Sequence, residues 1–241
     1  MKNNYKIAGK TVVLHSLYED VHHYCANYRT EEKADYSVVI TQADIDRERE
    51  ISKKTFADRG ENFIHSPDSY LEELAVYRKI ADRMIEYDTV LFHGSAVAVD
   101  GQTYLFGAKS GTGKSTHTQL WREYFGDRAV MMNDDKPLIH IGETITVYGT
   151  PYNGKHRLGS NIACPLKAIC FLTRSETNHI ERLSDLCAYP LLLSQVHQPE
   201  GVFKTQKLLK LIDTLLKRVR FYRLGCNTDI SAAKISYEGM Q

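Results

Sequence analysis

Apolar and polar positions change rhythm along this chain, and the changes mark out its elements. Short apolar runs at 11–15 and 36–40, rich in Val, have the length and composition of β-strands. Polar stretches surround them, such as 41–54, where Asp and Glu alternate with Arg and Lys. Ser66-Pro67-Asp68-Ser69 is a helix start, since proline suits the first helical position and the acids Glu72 and Glu73 suit the positive end. Leu74, Tyr77, Ala81, Met84 and Ile85 then recur at helical spacing and predict a helix to about Tyr87. Beyond it the rhythm turns to strands. One is predicted over 89–97, a hairpin turn at Asp100-Gly101, and a second strand over 102–106. A glycine-rich loop leads into a helix over 115–125, which Gly126 ends. Further strands are predicted at 129–133, 136–141, 144–148, 168–173 and 220–224, with helices at 184–194 and 205–218.

Strands interleaved with helices imply the α/β class, a central sheet with helices beside it. The shift in pattern near residue 65 divides the chain into a small N-terminal α/β cap or companion domain, 1–65, and a larger domain, 66–241. Trp121 reads as core. Lys and Arg of 204–220 alternate with Leu and Ile at helical spacing and read as the wet face of an amphipathic helix.

Composition narrows the partners. With 241 residues, 42% of them hydrophobic, the chain can bury a sizeable core. Lys plus Arg is 31 against 30 for Asp plus Glu, and a net charge of +1 gives no reason to expect nucleic acid or an acidic membrane as partner. The five cysteines are widely spaced without a CxxC, which speaks for reduced thiols rather than disulfides or a zinc knuckle. The N-terminal residues have no apolar signal core, and no apolar run approaches the ~20 residues that span a bilayer. A cytoplasmic location is therefore expected.

The chemistry is concentrated in one loop. Ala108-Lys109-Ser110-Gly111-Thr112-Gly113-Lys114-Ser115 fits the P-loop (Walker A) pattern with Ala in place of the first Gly, and Thr116 follows it. Glycines there let backbone N–H groups turn toward phosphate oxygens, and the following helix points its positive end at the anion. In such a loop Lys114 reaches the β- and γ-phosphates of ATP and the Ser115 hydroxyl ligates Mg²⁺. A phosphate-transferring site also needs an acid near a neighbouring strand end. Asp134-Asp135 closes the apolar 129–133 run, where two acids would repel each other unless a cation relieves them. A strand-end turn is the other reading of that pair. His93-Gly94 precedes the loop strand, and His93 is either a core histidine or a neighbour of the phosphates. The segment 149–157 contains Lys155 and Arg157, which either stabilise transition-state charge or decorate a solvated turn.

Together, His93-Gly94-Ser95-Ala96, the run from Gly107 to Ser115, and Asp134-Asp135 resemble the catalytic domain of the bacterial HPr kinase/phosphorylase family. The resemblance is firm over about residues 89–140, looser toward the C-terminus, and does not cover 1–65. It implies a P-loop fold shared with the ATP-dependent phosphoenolpyruvate carboxykinases, a mixed sheet flanked by helices. By position, Asp134 resembles the catalytic acid/base, Asp135 the magnesium-holding acid, and His93 the active-site histidine beside the catalytic acid. The family has Glu where this chain has Thr116, and its Pro/Gly/Arg-containing carrier-capture loop is not found here. The implied activity is Mg²⁺- and ATP-dependent phosphoryl transfer to a hydroxyl, a serine of a protein or peptide first, a small-molecule hydroxyl second. A nucleotide-binding regulatory module without transfer is the alternative from another class. A homo-oligomer is compatible with the resemblance, since that family forms rings.

Overall fold

A computed structural model describes residues 1–154 and 157–241. The chain divides into two units, Met1–Arg83 and Met84–Gln241. In the first, β1 (Lys2–Ile7) and β2 (Lys10–His15) form an antiparallel hairpin that turns on Ala8 and Gly9, both at positive φ. After the short α1 (Asp20–Tyr24), β3 (Tyr36–Val39) pairs with β2 in parallel. The polar stretch that follows is helical. α2 (Gln42–Asp58) starts from a capping box in which Thr41 and Asp44 satisfy each other's backbone N–H groups.

The sequence pattern places the next helix, α3 (Asp68–Met84), at the start of the larger domain, with a boundary at 65/66, but it belongs to the first unit. Its polar side explains why. The fully buried Glu72 carboxylate accepts N–H bonds from Leu17 (2.6 Å) and Tyr18 (2.9 Å). Arg78 donates twice to buried Glu48 of α2, at 2.5 and 3.0 Å. Lys79 reaches Asp44 and the Val39 carbonyl. Leu71, Val76 and Ile80 of the same helix are buried.

In the second unit the predicted 89–97 strand is two strands, β4 (Thr89–Leu91) and β5 (Ser95–Val99). β5 turns through Asp100 and Gly101, both at positive φ as a tight hairpin requires, into β6 (Gln102–Gly107). Then come α4 (Lys114–Phe125), β7 (Ala129–Asn133), β8 (Leu138–Ile141), β9 (Ile145–Tyr148), β10 (Ala163–Arg174) and β11 (His179–Arg182). α5 (Asp185–Gln195), α6 (Val202–Arg218), β12 (Arg220–Cys226) and α7 (Ser231–Gly239) complete it. Among the described residues these form a nine-stranded mixed sheet in the order β4-β8-β9-β10-β6-β5-β7, with β12 beside β10 and β11 beside β12. β10 is parallel to both β6 and β12, whereas β5 is antiparallel to both β6 and β7.

Alternation of side chains sorts the helices onto two faces. Ala96, Ala98, Leu105, Ile169 and Phe171 pack with Leu192 of α5 and Leu208, Ile212 and Leu215 of α6. Val97, Val99, Phe106 and Cys170 pack with Trp121 and Phe125 of α4 and Ala232 and Ala233 of α7. The unit is thus a mixed α/β sheet flanked by helices, with Trp121 in its core. No described helix is long and apolar enough to cross a membrane.

Candidate active site

Strand direction gathers the candidate residues. Because β5 is antiparallel to β6 and β7, its start lies at the end of the sheet where β6 and β7 finish. The registers Ser95 to Phe106 and Ala96 to Asn133 make this concrete. His93-Gly94, the loop after Gly107 and Asp134-Asp135 therefore share one edge. At Gly94, in the break between β4 and β5, the chain passes close to its neighbours. A Cβ there would stand 2.5 Å from the Phe106 carbonyl oxygen and 2.3 Å from the Phe92 ring, so only glycine lets the chain pass.

The loop itself turns on two glycines. Gly111 and Gly113 have φ of 78° and 120°, and a Cβ on either would meet nothing within 4 Å. These glycines serve backbone conformation and border open space, not packing. Thr112 N–H donates to the Lys109 carbonyl at 3.1 Å and closes the turn. Among the described residues no side chain caps α4 at Gly113, so its first N–H groups and its positive end face the loop. Ala108 is buried in the core, while Lys109, Ser110, Ser115 and Thr116 are exposed. Lys114 donates to the Ala108 carbonyl at 3.1 Å. Burial lowers its pKa, and Asp135 opposes that shift.

Across β5, the fully buried Asn133 organises the acids. Its Oδ1 accepts the N–H groups of Asp135 (2.8 Å) and Lys136 (2.6 Å). Its Nδ2 donates to the carbonyl and hydroxyl oxygens of Thr150, at 3.1 and 3.0 Å. Ser95 Oγ donates to the Asp134 carbonyl at 3.0 Å and fixes this turn to β5. The two carboxylates then part ways. Asp134 is 8% exposed, and burial raises its pKa although the Gly154 N–H donates to its Oδ1 at 2.5 Å. Asp135 is also disfavoured by burial, but the His93 ring and the Lys136 ammonium outweigh that and hold its pKa down at about 2. His93 Nε2 lies 3.2 Å from Asp135 Oδ1, and Lys136 Nζ pairs with Asp135 Oδ2.

The resemblance puts His93 beside Asp134; the acid its ring contacts in the structure is the adjacent Asp135. The turn set by Asn133 brings Asp135 back toward β5, where the Gly94 N–H donates to the Asp135 carbonyl at 2.9 Å. Of the two cationic candidates in the 149–157 segment, Lys155 lies outside the described residues. Arg157 sits at positive φ with its N–H on the Gly154 carbonyl, in the same loop that holds Asp134. Gly149 is required there, because a Cβ would fall 1.9 Å from the Ser160 carbonyl oxygen. Sequence reasoning missed Asn133, Lys136, Thr150 and Gly154. It also missed Arg174 at the end of β10, whose guanidinium donates to the Gly111 carbonyl at 2.6 Å. Ordinary turn residues carry no special mark, so only the pairing of Asn133 with a following double acid hinted at any of them.

Among the described residues no group of three or more His, Cys, Asp or Glu could hold a metal ion alone. Magnesium commonly takes one or two protein ligands and completes its shell with phosphate and water, and the expected protein donors are the Ser115 hydroxyl and the Asp135 carboxylate.

No protein-family model matches the sequence, and no curated protein matches it. Among solved structures, the chain is similar to the Hpr(Ser) kinase/phosphatase from Coxiella burnetii. The two are 8% identical, with 62% of this chain and 95% of that one covered and a TM-score of 0.37. That is a distant resemblance of fold, too slight to assign a role to any residue.

Proposed function

We propose that this chain is a Mg²⁺- and ATP-dependent phosphotransferase acting on a hydroxyl. The observation that supports it best is the meeting, at one sheet edge, of an uncapped helix start behind a glycine loop with two carboxylates of opposite character. A site that only binds nucleotide has no use for a buried acid with a raised pKa; a proton acceptor does. In this reading the 108–113 backbone and Lys114 hold the triphosphate. Ser115 and Asp135 would hold magnesium, which when bound neutralises charge on the β- and γ-phosphate oxygens. His93 and Lys136 keep Asp135 ionised and aligned. Asp134 takes the proton of the acceptor hydroxyl as its oxygen bonds to the γ-phosphorus, the bridging β–γ P–O bond breaks and ADP leaves. The acceptor is a serine of a protein or peptide, a choice supported by the sequence resemblance.

The test is γ-labelled ATP with Mg²⁺ and a cell extract, separated by size after incubation with wild type or Asp134→Asn. Label on macromolecules or peptides that disappears in the variant, with ATP binding retained, is expected. Label confined to small molecules makes the acceptor a metabolite. Undiminished transfer by Asp134→Asn would remove Asp134 from the role of proton acceptor. ATP binding with no consumption of its γ-phosphate would make the chain a nucleotide-sensing module.

A further inference from the structure

A cavity of about 450 Å³ opens beside the 108–113 loop. One wall is the Gly111-Thr112-Gly113 turn with Thr116; the other is Arg174, Ser175 and the turn 226–228. It is a built site rather than a gap between loose ends. Arg174 ties the far wall to the loop through the Gly111 carbonyl at 2.6 Å. Ser175 N–H donates to the Cys226 carbonyl at 3.0 Å, and Asn227 Nδ2 to the Glu176 carbonyl at 2.7 Å, bracing the two strand-end turns against each other.

We propose that this cavity takes the base and ribose of the nucleoside triphosphate. The inference rests on the phosphate-binding role proposed for the loop. Strand order supplies its main support. β6 feeds the loop, with β5, β7 and the acids on one side of it and β10 and β12 on the other. A triphosphate lying along the loop has two ends, and transfer requires the γ end beside Asp134 and Asp135. The opposite end then points across β6 toward the ends of β10 and β12, where the cavity stands. Its volume lies within the ~300–1,000 Å³ range of small-ligand sites. The exposed Arg174 guanidinium offers a flat cationic face on which a base stacks. The Thr116 and Thr228 side chains at the walls offer hydroxyls to a ribose. No carboxylate lines the cavity to repel the α-phosphate.

The test is calorimetric titration of the full chain with Mg-ATP and with Mg-tripolyphosphate, a probe that carries the phosphates alone. Wild type should bind ATP at least about tenfold more tightly. Thr228 is exposed, so Thr228→Trp fills the cavity without touching the core. That variant should lose at least about tenfold in ATP affinity and keep its affinity for tripolyphosphate, while Thr228→Ser keeps both. Equal wild-type affinity for the two probes overturns the subsite. So does a Trp variant that binds ATP normally, or one that loses both probes alike. If wild type binds neither, the failure lies with the loop reading itself.

Discussion

Asn133 carries no charge, yet it holds more of the candidate site's backbone than either acid beside it. One side-chain oxygen takes the N–H groups of Asp135 and Lys136, and its amide nitrogen donates to two oxygens of Thr150. In a fully buried position, truncation removes the acceptor of the Asp135 and Lys136 N–H groups, at about 1–3 kcal/mol for each one left unsatisfied. Asn133→Ala is therefore expected to lower stability in urea by at least about 2 kcal/mol. It should also cut phosphoryl transfer more than ATP binding, because the 108–113 loop does not depend on this amide. A variant that transfers phosphate normally would show that the turn positions itself. Double acids at a strand end stand out in a sequence, whereas an asparagine there looks like any turn former. That is why the acids were legible and their organiser was not. The partner of His93 was hidden for a related reason. Which acid it meets depends on how far the Asn133 turn rotates the backbone, and residue order alone does not encode that angle.

Helices and strands with a clear apolar period were legible, and those without one were not. α4 and α6 stand where helical spacing puts them, within a few residues. α2 was invisible because only Ile45 and Glu48 are buried along its length, so it leaves no stripe. The 89–97 run looked continuous because all its residues are apolar or small apart from His93 and Thr89; in the fold the His93 and Gly94 N–H groups bond to the Gln195 and Asp135 carbonyls, between β4 and β5. Between α4 and α7 the packing carries a pH dependence. His117 is buried, with Nε2 3.3 Å from Ser236 Oγ, which also accepts the Trp121 indole N–H at 2.9 Å. Burial pushes its pKa down from 6.5 to about 3. Between those values the unfolded chain holds a proton that the folded unit does not, so acidification favours unfolding. By pH 5, 1.5 units below 6.5, the loss amounts to about 2 kcal/mol. Denaturant midpoints measured from pH 7 to pH 5 should fall for wild type. His117→Gln should start lower and fall less. Parallel slopes would mean that other groups set the acid sensitivity.

Each of the two units has its own sheet and its own buried apolar residues, and every residue given a role in phosphate or magnesium binding lies in Met84–Gln241. This assigns a place to any stabilisation by nucleotide. A ligand that binds only the folded state stabilises it by about 2.7 kcal/mol at a concentration of 100 times its Kd. The added protection should fall on the backbone that binds it. Hydrogen exchange with Mg-ATP is expected to slow at 107–118, where the loop and the first turn of α4 receive the phosphates. It should also slow at 174–176 and 226–229 if the cavity holds the nucleoside. The three-stranded sheet and α2 of the first unit should exchange as they do without nucleotide. Protection that spreads into β1–β3 would make the first unit part of the nucleotide response. Protection confined to 107–118, with 174–176 and 226–229 unchanged, would keep the phosphate reading and remove the nucleoside from the cavity. The sharpest contrast comes from repeating the measurement with Mg-tripolyphosphate. The loop should slow as before, and the two far turns should not, because the part of the nucleotide that reaches them is missing.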